Sequence, residues 1–421
     1  MRKVRFLSII TILLIVTVLA ACAPDRDEDV NTNNGEENDG KPEELTIWAN
    51  DQEEQLEAIK EIAAKFEEKE GINVRVEPKS MLDQVQDLAL AGPEGKGPDL
   101  FYQPHDQIGS LVAEGLVEPL DLSDDEISGY SDAAMESVTY QFEDSTDIYG
   151  LPAVFETYGI FYNKDIISEE PKTIDDLKMA LEEHTDASKD EYGFLMKPND
   201  LYFAYPFFSN YGGYIFGGDV GEYVTTDLGL DNEGAIEGAK LFQSFFGKGK
   251  ISTSTTVDVL DGLFTEGKVG AVINGPWSIA GYQDALGDRV GFAPFPEVNG
   301  ERGSTFVGVK SWMVSYYSEN KDWATELALF LTNEENSEHY FEVSGELPAN
   351  TSALESIEDP IYSAFTEQIE HGVPMPSNPE MDQVWEPMND ALQFIAEGDD
   401  VKEVLEEAVE QIKSNIEASG K

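Results

Sequence analysis

Of the side chains that could do chemistry, the aromatic rings and the carboxylates are the most informative. Four histidines, His105, His184, His339 and His371, stand apart with no partner histidine at ligand spacing, so no metal site is expected. The stretch Ala91-Gly92-Pro93-Glu94-Gly95-Lys96-Gly97 lacks the spacing of a phosphate-binding loop and has proline inside it. No Gly-x-Ser-x-Gly elbow presents a nucleophilic serine, although composition alone leaves a Ser/His/Asp triad open. With 84 acidic residues a carboxylate pair for glycoside hydrolysis is always available, which makes that signal weak. Trp277, Trp385, Tyr202 and Trp48 say more, because they lie beside turns or at strand ends. Trp277 follows a Gly-Pro turn at the carboxyl end of an apolar run, where open α/β sheets form ligand crevices. Sugars suit such rings: their C–H faces stack on aromatic surfaces, while their hydroxyls need carboxylates and amides. Core packing is the alternative for each ring.

The elements that must hold these residues alternate. Leu45-Thr46-Ile47-Trp48 reads as a strand, and Leu56, Ile59, Ile62, Ala63 and Phe66 as one face of a helix ended by Gly71. Val74-Arg75-Val76 is the next strand. A second amphipathic helix carries Leu82, Val85, Leu88 and Ala89, Gly97-Pro98 breaks the chain, and Leu100-Phe101-Tyr102 is a third strand. This order implies a parallel sheet with helices on its faces. Val269–Ile273, Gly291–Phe295 and Thr305–Val309 read as later strands, and Val401, Val404, Leu405, Ala408, Val409 and Ile412 as one helical stripe.

The first residues have the order of a secretory signal: Arg2, Lys3 and Arg5, then an apolar run from Phe6 to Leu19, then small residues. Leu19-Ala20-Ala21-Cys22 resembles a bacterial lipobox, which implies that Cys22, the one cysteine of the chain, receives a diacylglycerol and becomes the first residue of the mature protein. The run is shorter than the ~20 residues a membrane span needs. Residues 1–21 are therefore expected to be signal peptide and 22–44 a disordered acidic tether on a lipid anchor. With no further cysteine, stability must come from a core, and the remaining ~380 residues suffice for two domains. The net charge of −57, spread along the chain, argues against nucleic acid and against adhesion to an anionic membrane. It suits a solvated acidic surface in an organism of high salt or high pH.

The stretch Gly97-Pro98-Asp99-Leu100-Phe101-Tyr102-Gln103-Pro104-His105-Asp106 resembles a segment of the maltose/maltodextrin-binding proteins of ABC importers. So do Ile160–Asp165, Ile273-Asn274-Gly275-Pro276-Trp277, Pro294-Phe295-Pro296, Phe306–Val309, and Met375–Met381 followed by Trp385. The matches run in order from about residue 45 to 415. The resemblance implies an α/β, two-lobe periplasmic-binding-protein-like fold with a hinge and an interlobe ligand cleft. The expected lobes are 45–154 plus 310–357 and 155–309 plus 358–421. It implies that Trp277, Trp385 and Tyr202 stack on sugar, that Asp106 and Glu156 hold hydroxyls, that Asp200 stands where the family has a glutamate, and that Asn50, Asp51 and Gln52 line the cleft from the first loop. The chain departs from the pattern at Gln103, for a stacking tryptophan, Gln107, for an arginine, Glu386, for a tyrosine, and Asn389, for an arginine. Glu53 lies near an expected lysine.

The function so implied is capture without catalysis. A monomeric protein, lipid-anchored on the extracellular face of a Gram-positive cell membrane, takes maltodextrin or maltose and delivers it to the permease subunits of an ABC importer, with no cofactor, metal or nucleic acid. Two alternatives stay open: binding of another oligosaccharide, and an extracellular glycoside hydrolase using a pair such as Asp106 and Glu156.

Overall fold

The strand Glu44–Ala49 is buried at five successive residues, Leu45 to Ala49, as a parallel strand covered on both faces must be. In this computed structural model the described residues are 40–142, 145–219, 222–247 and 250–419. Cys22, the expected signal peptide and residues 22–39 of the expected tether lie outside them. Strand Glu44–Ala49 pairs in parallel with Asn73–Pro78 and with Leu100–Pro104. The helix between the first two, Glu53–Glu70, buries Ala58, Ile59, Ile62, Ala63 and Phe66. It ends where Gly71 turns left-handed (φ 68°) and donates its N–H to the Glu67 carbonyl. Helix Met81–Ala91 differs from expectation. Leu88 is buried, but Leu82 is 88% exposed and Ala89 is also exposed, so the apolar spacing there does not mark a core face.

Two sheets carry the fold. The first has the order Leu347–Pro348, Leu151–Glu156, Phe306–Val314, Leu100–Pro104, Glu44–Ala49, Asn73–Pro78, with Val373–Pro374 paired to Phe306–Val314. Phe306–Val314 runs antiparallel to both of its long neighbours. It is longer than the Thr305–Val309 read from sequence, because Lys310 to Val314 continue the strand as buried residues. The second sheet has the order Val290–Ala293, Gly159–Asn163, Val269–Asn274, Tyr192–Leu195. Its strand Val269–Asn274 is buried throughout.

The chain passes from the first sheet to the second between Glu156 and Gly159, and returns between Ala293 and Phe306. It leaves again after Leu347–Pro348 for helix Pro360–Glu370, which packs on Val290–Ala293. Helices Asp382–Glu397 and Val401–Ser419 pack on each other and on Glu233–Gln243, which follows the second sheet's Tyr192–Leu195 in the chain. Val401, Leu405, Ala408, Val409 and Ile412 are buried as the stripe predicts. Among the described residues no helix is long and apolar enough to cross a membrane, and no group of three or more His, Cys, Asp or Glu has the arrangement to hold a metal ion.

Candidate functional site

Asp106 stands just past the end of strand Leu100–Pro104, in the short turn of helix His105–Gln107. The turn is fixed by its neighbour. His105 Nδ1 accepts the Val309 N–H at 3.1 Å, so Nε2 is the donor to the Met375 carbonyl at 3.1 Å. Burial lowers the pKa of this histidine and keeps it neutral. His105 thus belongs to the scaffold. Asp106 is buried and receives the Gln107 amide on Oδ2 at 3.1 Å, while Oδ1 has no hydrogen-bond partner among the described residues. Burial raises its pKa to about 6; Asp382 pushes the same way and Gln107 opposes. The helix Ile108–Ala113 has no side-chain cap, so capping does not occupy this carboxylate.

Glu156 ends strand Leu151–Glu156 and faces Gly308 across the ladder. A β-carbon at Gly308 would come within 2.7 Å of Glu156 Cγ and Oε1, so only glycine leaves this carboxylate its place. Two residues on, Lys310 lies on the same face of its strand. Its Nζ pairs with Glu156 Oε2 at 3.2 Å and with Glu346 Oε1 at 2.6 Å. Tyr340 donates its hydroxyl to the other Glu346 oxygen at 2.7 Å. All three charged groups are buried. Burial raises the pKa of Glu156, and Lys310 partly offsets that. Burial alone would lower Lys310, but Glu346 and Glu156 outweigh it and hold it above its ordinary value. Lys310 is therefore a fixed ammonium among acids.

The rings form a row beside these charges. Trp277 sits in the turn Pro276–Ser278 that follows Val269–Asn274. The turn is built by Asn274, whose Oδ1 accepts the Gly275 N–H and whose amide donates to Asp261 and to the Tyr282 hydroxyl, each at 2.9 Å. The indole folds back over its own glycine: a β-carbon on Gly275 would lie 2.1 Å from the ring. Lys310 Nζ lies over the Trp277 ring, 4.9 Å from its centroid. Phe203 follows at 6.4 Å from Trp277, then Tyr202 at 5.2 Å from Phe203. Phe306 stacks near-parallel to Tyr202 at 6.2 Å, and Trp385 meets Phe306 edge-on at 6.1 Å. Trp277, Tyr202 and Trp385 are each half-buried, and the Tyr202 hydroxyl is buried with no hydrogen-bond partner among the described residues. Burial first, and then Glu156, raise its pKa well above that of an ordinary tyrosine; Asp106 adds to this.

The structure thus brings Asp106, Glu156 and Tyr202 into one electrostatic neighbourhood, with Trp277 beside it through Lys310. The remaining candidates sit in supporting or outer places. Asp200 caps helix Leu201–Ser209, accepting the Tyr202 N–H at 3.1 Å, and pairs with Lys197 at 3.0 Å. Asn389 accepts the Leu201 N–H at 2.8 Å, which ties the Trp385 helix to the Tyr202 helix. Gln103 is buried and donates its amide to the Met81 carbonyl at 2.7 Å. Asn50 accepts the Met81 N–H at 3.1 Å and donates to Gln55 at 2.7 Å, while Asp51 and Gln52 are exposed. Glu386 is exposed and lines a groove with Phe394 and Glu407 between helices Asp382–Glu397 and Val401–Ser419. Sequence reasoning missed Lys310, Glu346, Phe203 and Phe306. For Lys310 a signal existed: a lone charge inside the run Phe306–Val314, which is apolar but for Lys310 and Ser311.

Comparison with known proteins places this arrangement. A family model described as bacterial extracellular solute-binding protein matches residues 61–368. The chain is 39% identical over 417 residues to a galactooligosaccharide-binding protein of Bacillus subtilis, covering 96% of each. It is 29% identical over 418 residues to a maltooligosaccharide ABC transporter solute-binding lipoprotein of Streptococcus pneumoniae, again covering 96% of each. A solved cyclo/maltodextrin-binding protein in complex with maltotetraose superposes with a TM-score of 0.76 at 37% identity, covering 89% of this chain and 98% of that one. The two-lobe α/β fold read from the sequence motifs is the fold of that structure. With the family model matched over most of its length, this chain belongs to the bacterial extracellular solute-binding proteins.

Proposed function

We propose that this protein captures maltodextrins in the cleft between its two sheets and hands them to the permease subunits of an ABC importer. The observation that carries this reading is the row of rings from Trp277 to Trp385, in which Trp277, Tyr202 and Trp385 are half-buried, beside two buried oxygens to which the described residues give no partner, Asp106 Oδ1 and the Tyr202 hydroxyl. Rings supply stacking surface, and buried acceptors demand hydroxyls to satisfy them. The relatives' association with maltooligosaccharides and ABC transporters supports it. The lobes we propose are 45–154 plus 310–357 and 155–309 plus 358–421, with the cuts at 154/155 and 309/310 falling inside strands Leu151–Glu156 and Phe306–Val314 of the first sheet. The protein works as a monomer, tethered by lipid at Cys22 on the extracellular face of a Gram-positive membrane. It performs no catalysis: Asp106 and Glu156 accept hydrogen bonds and move no proton. Titration against a panel of linear maltodextrins and galactooligosaccharides, with release of reducing ends measured in parallel, tests this. Reducing ends released by the parent would make it a hydrolase.

One second reading has a specific observation behind it. The galactooligosaccharide-binding relative is 39% identical across nearly the whole chain, and Gln103, where a stacking tryptophan was expected, is buried against the Met81 carbonyl. Tighter binding of galactooligosaccharides than of maltodextrins in the same titration decides for that sugar class.

A further inference from the structure

Lys310 belongs to the first sheet, where it pairs in register with Pro104 and Val154, yet its ammonium lies over an indole carried by the second. Two carboxylates hold it there. Glu346 grips it at 2.6 Å and is itself held by Tyr340, and Glu156 takes a second side at 3.2 Å. The segment that presents Glu346 is close to the Trp277 turn: a β-carbon on Gly345 would stand 3.7 Å from both the Pro276 carbonyl and Ile279. Lysine, carboxylates and indole are one packed unit, with Lys310 only 4% exposed.

A pyranose stacks on an indole by laying its C–H face where this ammonium already stands. A neutral sugar gains too little from one ring face to expel the ammonium, because that would leave Glu156 and Glu346 buried without their counter-charge. The ammonium is also attracted by the ring it covers. We propose that Lys310 is a specificity-determining residue: it closes one face of Trp277 to sugar and so ends the row of subsites at that ring. This rests on the reading of the cleft as an oligosaccharide site. The consequence is a limit on length. Affinity rises with each added sugar unit until the chain reaches Trp277, and then stops rising.

The test compares the parent with the double variant Lys310→Met, Glu346→Gln, which keeps side-chain volume and leaves Glu156 as the one carboxylate of the cluster without its ammonium, a change common to every sugar length that does not move a plateau. Both are titrated by calorimetry with linear maltodextrins from maltose to maltoheptaose and with a series of β-linked galactooligosaccharides, and melting is followed alongside. The expected result is that the variant gains affinity for at least one unit beyond the parent's plateau, by about tenfold. A variant that binds every length more weakly by one common factor, with the plateau where it was, overturns the proposal and leaves Lys310 a structural residue. No binding of any sugar by the parent overturns this inference together with the sugar-site reading. Should the double variant not fold, a crystal structure of the parent bound to the longest tight-binding sugar gives the same decision. Lys310 still over the indole and paired with both glutamates supports the closed face; a pyranose stacked on that face overturns it.

Discussion

Asp106 and Tyr202 reach one neighbourhood from different sheets, and each ends in a buried oxygen that no group among the described residues hydrogen-bonds. Asp106 follows a strand of the first sheet; Tyr202 rides the helix after Tyr192–Leu195 of the second. Burial first, and then Glu156, raise the pKa of the phenol, and the Asp106 carboxylate adds to this. A buried polar atom left unpaired costs roughly 1–3 kcal/mol, so two of them facing the same region define where a ligand's polar groups are needed. A sugar hydroxyl can donate to the carboxylate and accept from the phenol.

Asp106→Asn keeps the shape and removes the charge. It should weaken sugar binding by roughly 1–3 kcal/mol, about tenfold or more, because a charged acceptor becomes a neutral one. Glu156→Gln should lose a similar amount, and it also removes one of the two partners of Lys310. Neither the parent nor the variants should release reducing ends from a glucan. The paired measurement is calorimetric affinity and reducing-end release. Cleavage by the parent that disappears in the variants would assign the carboxylates to hydrolysis.

Asp106 also sets a pH dependence. Its pKa in the fold is raised to about 6 from an ordinary 3.8, chiefly by burial, with Asp382 adding to it and with Glu156 and Tyr202 also in its field. The folded protein therefore takes up a proton between about pH 6 and 4 that the unfolded chain does not. Stability contributed by this group is highest below pH 4 and falls as pH rises to 6, by up to ~3 kcal/mol. Sugar binding has the opposite sign, since a hydroxyl donates to the ionised form, so affinity should drop as pH is lowered through 6. Calorimetry from pH 4.5 to 7.5 checks this. In Asp106→Asn the pH dependence of affinity should flatten; an unchanged profile would show that another group titrates.

Much of the scaffold was legible because apolar period and punctuation agree. Leu45 to Trp48, the Ile59–Phe66 stripe and Gly71 gave strand, helix and stop, and each is where the pattern puts it. The Gly-Pro-Trp turn was legible for the same reason, as a break after a wholly apolar strand. What failed did so where tertiary contacts override local pattern. Lys310 reads as the end of a strand, since a charge in a central strand is costly, yet Glu156 and Glu346 supply what it needs from 154 residues before and 36 after. No local spacing reveals such a partnership. Leu82 shows the converse: its helical spacing fits a core face, and no element covers it. Pairing of rings such as Phe306 with Tyr202 and Trp385 also depends on how the two sheets meet, which the order of elements leaves open.

Cys22→Ser removes the thiol that would carry the lipid. The protein should then appear in the culture medium, with sugar affinity unchanged, because Cys22 lies outside the described residues that carry the candidate site. Cell fractionation with immunodetection checks it. A variant retained on the membrane as firmly as the parent would mean that something other than Cys22 holds it there.

Trp277→Ala and Trp385→Ala should each weaken sugar binding about tenfold or more, the effect of losing roughly 1–3 kcal/mol of stacking and burial, with the fold intact. Gly275→Ala tests the same ring without touching it. The backbone at Gly275 (φ −109°, ψ −178°) is extended and suits any residue, so the substitution brings no conformational strain. Its new methyl, however, would lie 2.1 Å from the Trp277 ring. The indole must swing off its glycine, and with it off the Lys310 ammonium. Affinity should therefore fall by about as much as in Trp277→Ala, while the network of Asn274, Asp261 and Tyr282 keeps the turn itself in place. Calorimetric affinity measured beside the melting temperature separates the outcomes. Full affinity in Gly275→Ala with a normal melt would mean that sugar does not depend on where this ring lies; a large fall in melting temperature in all three variants would return these rings to the core.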